Sequence, residues 1–404
     1  MSKQYFFQAG SFPNLSYVEL VCVFEIHGLG RDIIHLFSDD IFLIKSKDIS
    51  EDVLLKIFNR VGGFVRFGEI IDSTETFLKE YKESDERVVF GLSLLGDLQK
   101  EERKNNEKFL KKLANDIKRA VKKDQGSARF LIPRGSTLEL NAAQIVNNDI
   151  LEKGFELCIM RKGLGAEQGE IYGKTIAIQD LEGYIERDME RPYSDIEMGV
   201  LPPKLARMMI NFCSLREGII WDPFCGSGTV LMESAVLGYN FLGSDIDEQA
   251  LEYSEENIRW LNEQGYIGNV VYETFHLDVK KPDSEVVKKL KNTDISAIVC
   301  EPFMGPPQRS LLREEKAEKL LSSVKSLYDS LFKMLDERIG VRGIKMVMIV
   351  PSYKTIKGWK TISIYDIVSN RWNLLNSEYS PKKDLKWGRK NSIITRNIYI
   401  LERT

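Results

Sequence analysis

The segment Asp222-Pro-Phe-Cys-Gly-Ser-Gly-Thr229 sets two glycines two positions apart, just after an acid that ends the apolar run Ile219-Ile-Trp-Asp222. A strand-to-helix turn of this kind lets backbone approach a ligand closely, because glycine carries no Cβ. A helix opening at Thr229 would present free N–H groups, which suit a carboxylate or a phosphate. A second run, Asn240-Phe-Leu-Gly-Ser-Asp245, ends in an acid 23 residues after Asp222. An acid roughly 20 residues past such a turn can accept hydrogen bonds from ribose hydroxyls. Ile246 could pack on an adenine face, and Asp278 could accept from an adenine amino group. Asp222, Phe224, Gly226, Gly228, Thr229, Asp245, Ile246 and Asp278 are therefore the expected cofactor-binding residues, and the expected ligand carries a free nucleoside ribose.

The turn does not read GxGxxG, since Thr-Val-Leu-Met follows Gly228, and it has no Gly-Lys-Ser/Thr of a phosphate loop. The string DPFCGSGTVLMESA instead resembles the first motif of class I methyltransferases, especially those acting on exocyclic amino groups of bases. That resemblance implies S-adenosyl-L-methionine as cofactor.

Ile298-Val-Cys-Glu301-Pro-Phe-Met-Gly-Pro-Pro307 follows a fourth apolar run. Amino-directed methyltransferases carry Asp/Asn-Pro-Pro-Tyr/Phe here. An exocyclic amine is a poor nucleophile, because its lone pair is delocalised into the ring. A carboxylate and a proline carbonyl can bind its two N–H groups and favour a pyramidal nitrogen. An aromatic ring can hold the extruded base in line. By this logic Glu301, Pro302 and Phe303 are the expected catalytic residues. The chain departs from the pattern: Glu301 replaces Asp, Phe303 the second Pro, and Met304 the aromatic. Glutamate is longer by one methylene, and a displacement of roughly 1 Å can cost about 10²-fold in rate. Either the loop is re-shaped with Phe303 as the stacking ring, or the activity is weakened or changed.

Alternating strands and helices must position these loops. Strands are expected at 218–222, 240–245, 270–278, 295–300, 344–350, 372–378 and 395–401, with helices at 204–212, 229–237, 248–262 and 312–335. Such alternation predicts an α/β doubly wound sheet. Before it, strands are expected at 5–9, 41–44, 87–93, 128–132, 155–160 and 175–179, with helices at 50–60, 104–123 and 140–150. Ser16 and Glu19 have capping-box spacing for a helix that starts there. Residues 180–199 have few apolar positions and read as a polar connector.

The 404 residues allow two to four domains at roughly 100–200 residues each. The composition, 43% hydrophobic and 29% charged, is that of globular protein, and the five cysteines form no CxxC pair. The three histidines do not cluster with them, so no metal site is expected. No apolar run approaches the roughly 20 residues of a membrane span, and a cytoplasmic location is expected. The net charge is only -3, so any nucleic-acid contact must be local. Residues 100–134 carry twelve Lys/Arg against five Asp/Glu, a local net of +7. Lys382, Lys383, Lys386, Arg389 and Lys390 form a second cluster, between 382 and 390. Such patches supply phosphate contacts without sequence readout.

The whole chain resembles the THUMP-containing tRNA guanine-N2 methyltransferases of the archaeal and eukaryotic position-10 type. Four segments carry this: residues 5–20, starting Tyr5-Phe-Phe-Gln-Ala; residues 179–192, ending Glu190-Arg-Pro192; residues 198–211, with Leu201-Pro-Pro-Lys-Leu-Ala-Arg207; and residues 389–401. The resemblance implies a ferredoxin-like domain over 1–65, a THUMP domain over 66–179 that grips the tRNA 3′ end, a linker over 180–200, and a class I (Rossmann-like) methyltransferase domain over 201–404. It implies methyl transfer to the N2 amine of a flipped guanine in tRNA. It leaves room for a small activator subunit, which the residues do not derive. Two alternatives remain. One is a DNA amino-methyltransferase acting on N6 of adenine or N4 of cytosine. The other is a catalytically weakened protein that binds tRNA and S-adenosylmethionine.

Overall fold

The computed structural model describes all residues except 1–2, 82–86, 97–101, 126, 134–136, 163–169, 195–199, 309, 381, 383 and 390. Lys100, Arg134, Met198, Gly199, Lys383 and Lys390, used in the sequence reading, lie outside the described residues. The chain forms two compact units, residues 1–13 with 30–181, and residues 14–29 with 182–404.

The first unit is built on β1 (Gln4–Ala9), β2 (Ile34–Leu36), β3 (Ile41–Lys45), β4 (Phe64–Ile71), β5 (Val88–Gly96), β6 (Ala128–Leu131), β7 (Gly154–Arg161) and β8 (Glu170–Ile178). They form one mixed sheet in the order β2-β3-β1-β4-β8-β7-β5-β6. β5 pairs in parallel with both β6 and β7. Its residues are almost all buried, which is why Val88-Val-Phe-Gly-Leu-Ser-Leu-Leu95 reads as a near-continuous apolar run. Helix Arg103–Gln125 buries Leu110, Ala114, Ile117 and Val121 beside Phe90 and Phe155. That 4-3-4 spacing makes one apolar stripe and leaves Lys104, Lys108, Lys111, Lys112 and Lys122 exposed on the other faces. Arg66 Nε donates to Glu156 Oε2 at 3.0 Å inside this unit, and Ser93 and Thr175 hydroxyls donate to the same carboxylate. The pair is buried but fully hydrogen-bonded, which offsets its desolvation. The helix expected over 140–150 is only Ala142–Val146, and β8 starts five residues before its expected position.

The second unit carries β9 (Ile219–Asp222), β10 (Asn240–Asp245), β11 (Tyr272–His276), β12 (Ile295–Cys300), β13 (Lys345–Thr355), β14 (Gly358–Thr361), β15 (Trp372–Leu374), β16 (Lys386–Trp387) and β17 (Ile394–Arg403). The main order is β11-β10-β9-β12-β13-β17-β15. β9 to β13 are mutually parallel, whereas β17 runs antiparallel to β13. One face packs Leu231, Met232 and Ala235 of helix Thr229–Val236 against Phe241, with Ile258 and Leu261 of helix Glu248–Glu263. The other packs Trp221, Ile298 and Met346 against Leu290, Val324 and Tyr328. The expected α/β class is present as a doubly wound, Rossmann-like sheet. The order reverses between β9 and β12, so the loops leaving these two strands flank a crevice, where ligands bind in open α/β sheets.

Three local expectations are corrected. The helix placed after Ser16 starts at Pro13 and runs to Ile26. Ser16 and Glu19 are thus buried within it, and Glu19 Oε1 accepts from Asn211 Nδ2 at 2.8 Å. The strand expected over 372–378 stops at Leu374 and gives way to helix Asn376–Tyr379. Residues 181–190, read as part of a polar connector, form helix Leu181–Ile185 and a π-helical turn Glu186–Glu190.

Candidate active site

Asp222 ends β9 and is buried, with Oδ1 accepting from Phe224 N at 2.9 Å. Burial pushes its carboxyl well above the usual range, the Phe224 hydrogen bond opposing. The chain then turns through Gly226 and Gly228, both left-handed, at φ +52° and +85°. A Cβ at Gly228 would come within 2.9 Å of the Ser254 Cβ, so glycine is needed for close packing. A Cβ at Gly226 would meet nothing within 4 Å, because that face opens on a cavity. Asp245, at the end of β10, folds back on the turn, its Oδ2 accepting from Gly226 N at 2.9 Å. Burial raises this carboxyl too, against hydrogen bonds from the Gly226, Asp247 and Ile246 backbone.

The cavity has a volume of about 410 Å³ and is walled by Asp222, Phe224, Gly226, Thr229, Tyr253 and Glu301, among others. Five of the eleven expected site residues therefore share one wall. Gly228, Asp245, Ile246, Asp278, Pro302 and Phe303 lie outside that wall. Ile246 and Phe303 are exposed, and Asp278 Oδ1 accepts from Lys280 N at 2.8 Å.

Glu301 enters from β12. Its carboxylate is held by Arg396 of β17, whose Nε donates to Oε1 at 2.5 Å and whose Nη2 lies 3.4 Å from Oε2. Burial raises the Glu301 carboxyl above its usual range, and the Arg396 charge and hydrogen bond oppose this. The loop after it is pinned by Tyr353 of β13, whose hydroxyl donates to the Met304 carbonyl. Gly305 follows at φ +85°, and a Cβ there would run into that hydroxyl. The Glu-Pro-Phe-Met-Gly loop thus has its own anchor, and Phe303 is exposed, two residues after the cavity-lining Glu301.

Sequence reasoning missed the residues that brace the glycine turn. Arg187 Nε donates to Glu233 Oε1 and Arg207 Nε to Glu233 Oε2, both at 2.7 Å, and all three side chains are buried. Arg191 Nη1 donates to Thr229 Oγ1 at 2.8 Å. Asn257 Nδ2 bonds the Ser227 and Tyr193 carbonyls, each at 2.8 Å. Tyr193 also stacks on Tyr253, with ring centroids 4.2 Å apart. The one available signal was the unusual pair of arginines at 187 and 191 in a segment otherwise read as solvated.

A family model described as DNA methylase matches residues 172–256, which include the glycine turn and Asp245. A tRNA (guanine(10)-N2)-dimethyltransferase from Methanocaldococcus jannaschii is 33% identical over 155 residues, covering 37% of this chain and 40% of that protein. Its namesake from Methanothermobacter thermautotrophicus is 33% identical over 135 residues, covering 33% of this chain and 35% of that protein. The alignments thus span two fifths or less of these relatives' own lengths. Among solved structures, a SAM-dependent methyltransferase from Methanosarcina mazei aligns at TM-score 0.30 and 14% identity, covering 48% of this chain and 97% of that one.

Proposed function

We propose that this chain transfers a methyl group from S-adenosyl-L-methionine to the exocyclic N2 amine of a guanine in tRNA. The observation that carries the reading is the convergence of Asp222, the Gly226 turn and Glu301 on one cavity at the point where the strand order reverses. The similarity to two proteins named as tRNA (guanine(10)-N2)-dimethyltransferases supports the choice of substrate.

The residues present fit the cofactor. The Gly226 face is a cradle that any side chain would fill. Asp245 stands at the end of β10, where its carboxylate can exchange a backbone partner for ribose hydroxyls. Asp245 and Glu301 both lie close enough to Asp222 for their charges to act on it, so three acids converge on this end of the sheet. The cofactor, when bound, supplies an electrophilic methyl group. Glu301 accepts an N–H of the target amine, the Pro302 carbonyl accepts the other, and Phe303 stacks on the base. Arg396 favours the ionised form of Glu301 against the pull of burial and fixes its orientation, which lets the longer side chain serve where aspartate is usual.

Residues 1–65 and 66–179 are read as ferredoxin-like and THUMP domains, 180–200 as the linker and 201–404 as the methyltransferase domain. The basic segment 100–134 and the 382–390 cluster are read as tRNA contacts. Lys104, Lys108, Lys111 and Lys122 are exposed along helix Arg103–Gln125 at spacings that share one face. A cytoplasmic enzyme is the corresponding location; among the described residues no helix is long and apolar enough to cross a membrane.

The match to a DNA methylase model favours one rival, amino-methylation of DNA. Labelled methyl transfer to unmodified tRNA tests the reading: incorporation as N2-methylguanosine supports it, and incorporation only into duplex DNA selects the rival.

A further inference from the structure

Antiparallel pairing fixes which side chains share a face of a sheet, because directly opposite residues stand on the same side, with Cβ atoms about 5 Å apart. Arg396 of β17 is opposite Pro351 of β13 on one edge and opposite Trp387 of β16 on the other. Three bonds show what this face looks at. Arg396 reaches the Glu301 carboxylate through Nε and Nη2, and its Nη2 lies 3.5 Å from the carbonyl of Val200, another residue of the cavity wall. The hydroxyl of Tyr353, two positions beyond Pro351, donates to the Met304 carbonyl. Trp387 therefore stands on the face that carries the loop 301–305, one strand beyond the arginine that holds Glu301.

β16 is tied down on this edge. Ile398 N donates to the Leu385 carbonyl at 2.8 Å, and Asn14 Nδ2 donates to the Asp384 carbonyl at 2.9 Å. Leu385 is buried, Trp387 is half-buried, and Lys386 and Arg389 are exposed. A ring anchored by its strand and open on part of its surface, with cations close by in the chain, has the make-up of a base-stacking platform.

The proposed reaction needs such a ring. A base turned out of its helix gives up its stacking partners for whatever the site offers. Phe303 is 53% exposed and outside the cavity wall, and Met304 stands where an aromatic residue is usual. One exposed ring covers at most one face of the base.

We propose that Trp387 is a substrate-binding residue whose indole stacks on the target guanine, covering a face that Phe303 leaves open, and holds the extruded base while Glu301 accepts from its N2 amine. The inference rests on the tRNA methylation reading above.

Single-turnover methylation of unmodified tRNA by the full chain, at saturating tRNA and S-adenosylmethionine, tests this. Loss of the stack leaves fewer bound guanines in the extruded state, so the rate falls even at saturation. Trp387→Leu, which keeps an apolar side chain without an aromatic face, is expected to lower that rate about tenfold or more, with S-adenosylhomocysteine affinity within about twofold of wild type. Trp387→Phe, which keeps a ring, should stay within about threefold of wild type. A merely structural tryptophan gives a different pattern, in which cofactor affinity and melting temperature fall together with the rate. That pattern, or a Trp387→Leu rate equal to wild type, overturns the proposal. Should Trp387→Leu fail to fold, ultraviolet crosslinking of the wild type to tRNA transcribed with 6-thioguanosine decides. An adduct on Trp387 or the residues next to it supports the stack, and adducts confined to other segments, or none, overturn it. A wild type that transfers no methyl group to tRNA rejects the tRNA reading itself, a separate outcome.

Discussion

Arg396 on β17 holds Glu301 at the end of β12, Nε to Oε1 at 2.5 Å, across 95 residues of sequence. The two are joined through β13, which pairs with both strands. This pairing opposes the upward push that burial gives the Glu301 carboxyl.

The pair predicts the acid limb of a pH–rate profile. Burial raises the Glu301 pKa above the ordinary glutamate value, and Arg396 is the cause that lowers it. Turnover should need ionised Glu301, so it falls as pH drops through that raised pKa. Arg396→Met removes the opposing charge, raises the pKa further and shifts the limb to higher pH. Arg396→Lys should restore part of the shift. A limb that does not move in Arg396→Met contradicts the role given to the pair.

The two turn glycines have separable roles. Gly228→Ala forces a left-handed alanine and a close approach to Ser254, so melting should show a loss of at least about 1–2 kcal/mol. Gly226→Ala should cost about the strain alone, roughly 1–2 kcal/mol, yet abolish S-adenosylhomocysteine binding, because its methyl group enters the cavity. Undiminished binding in Gly226→Ala would remove the turn from the cofactor site.

Glu233→Ala leaves Arg187 and Arg207 buried without the carboxylate that both are bonded to. Breaking a buried pair from one side typically costs about 3–5 kcal/mol, and denaturant melts should show a loss of that order. A loss under about 1 kcal/mol would mean that water reaches the arginines, in conflict with their burial.

Lys104→Glu, Lys108→Glu and Lys111→Glu together should weaken tRNA binding and flatten its salt dependence, by roughly 0.7–0.9 in log–log slope for each phosphate that is no longer neutralised. An unchanged slope would move the RNA-binding surface away from helix Arg103–Gln125.

The glycine turn was legible because it depends on residue types at short, fixed spacings. Asp222, Gly226 and Thr229 fall within one turn and do line the cavity. The helix Ser284–Asn292 was not legible, because it is short and only Leu290 is fully buried on it, with Val286 partly so. The bracing arginines were hidden for a related reason. A charged segment reads as solvated, and nothing local in Glu186-Arg-Asp-Met-Glu-Arg191 marks Arg187 and Arg191 as buried. Their partners Glu233 and Thr229 are 46 and 38 residues away. The Glu301 departure from aspartate left two readings open in sequence, since its partner, Arg396, comes from a strand that local pattern cannot pair with it.

Methylation of a tRNA guanine at N2 is tested most directly by incubating the purified chain with labelled S-adenosylmethionine and unmodified tRNA, then resolving the nucleosides by mass spectrometry. The predicted result is label in N2-methylated guanosine, absent in Glu301→Ala while S-adenosylhomocysteine binding is retained. Label in no tRNA nucleoside, or the same turnover from Glu301→Ala, would contradict the assignment.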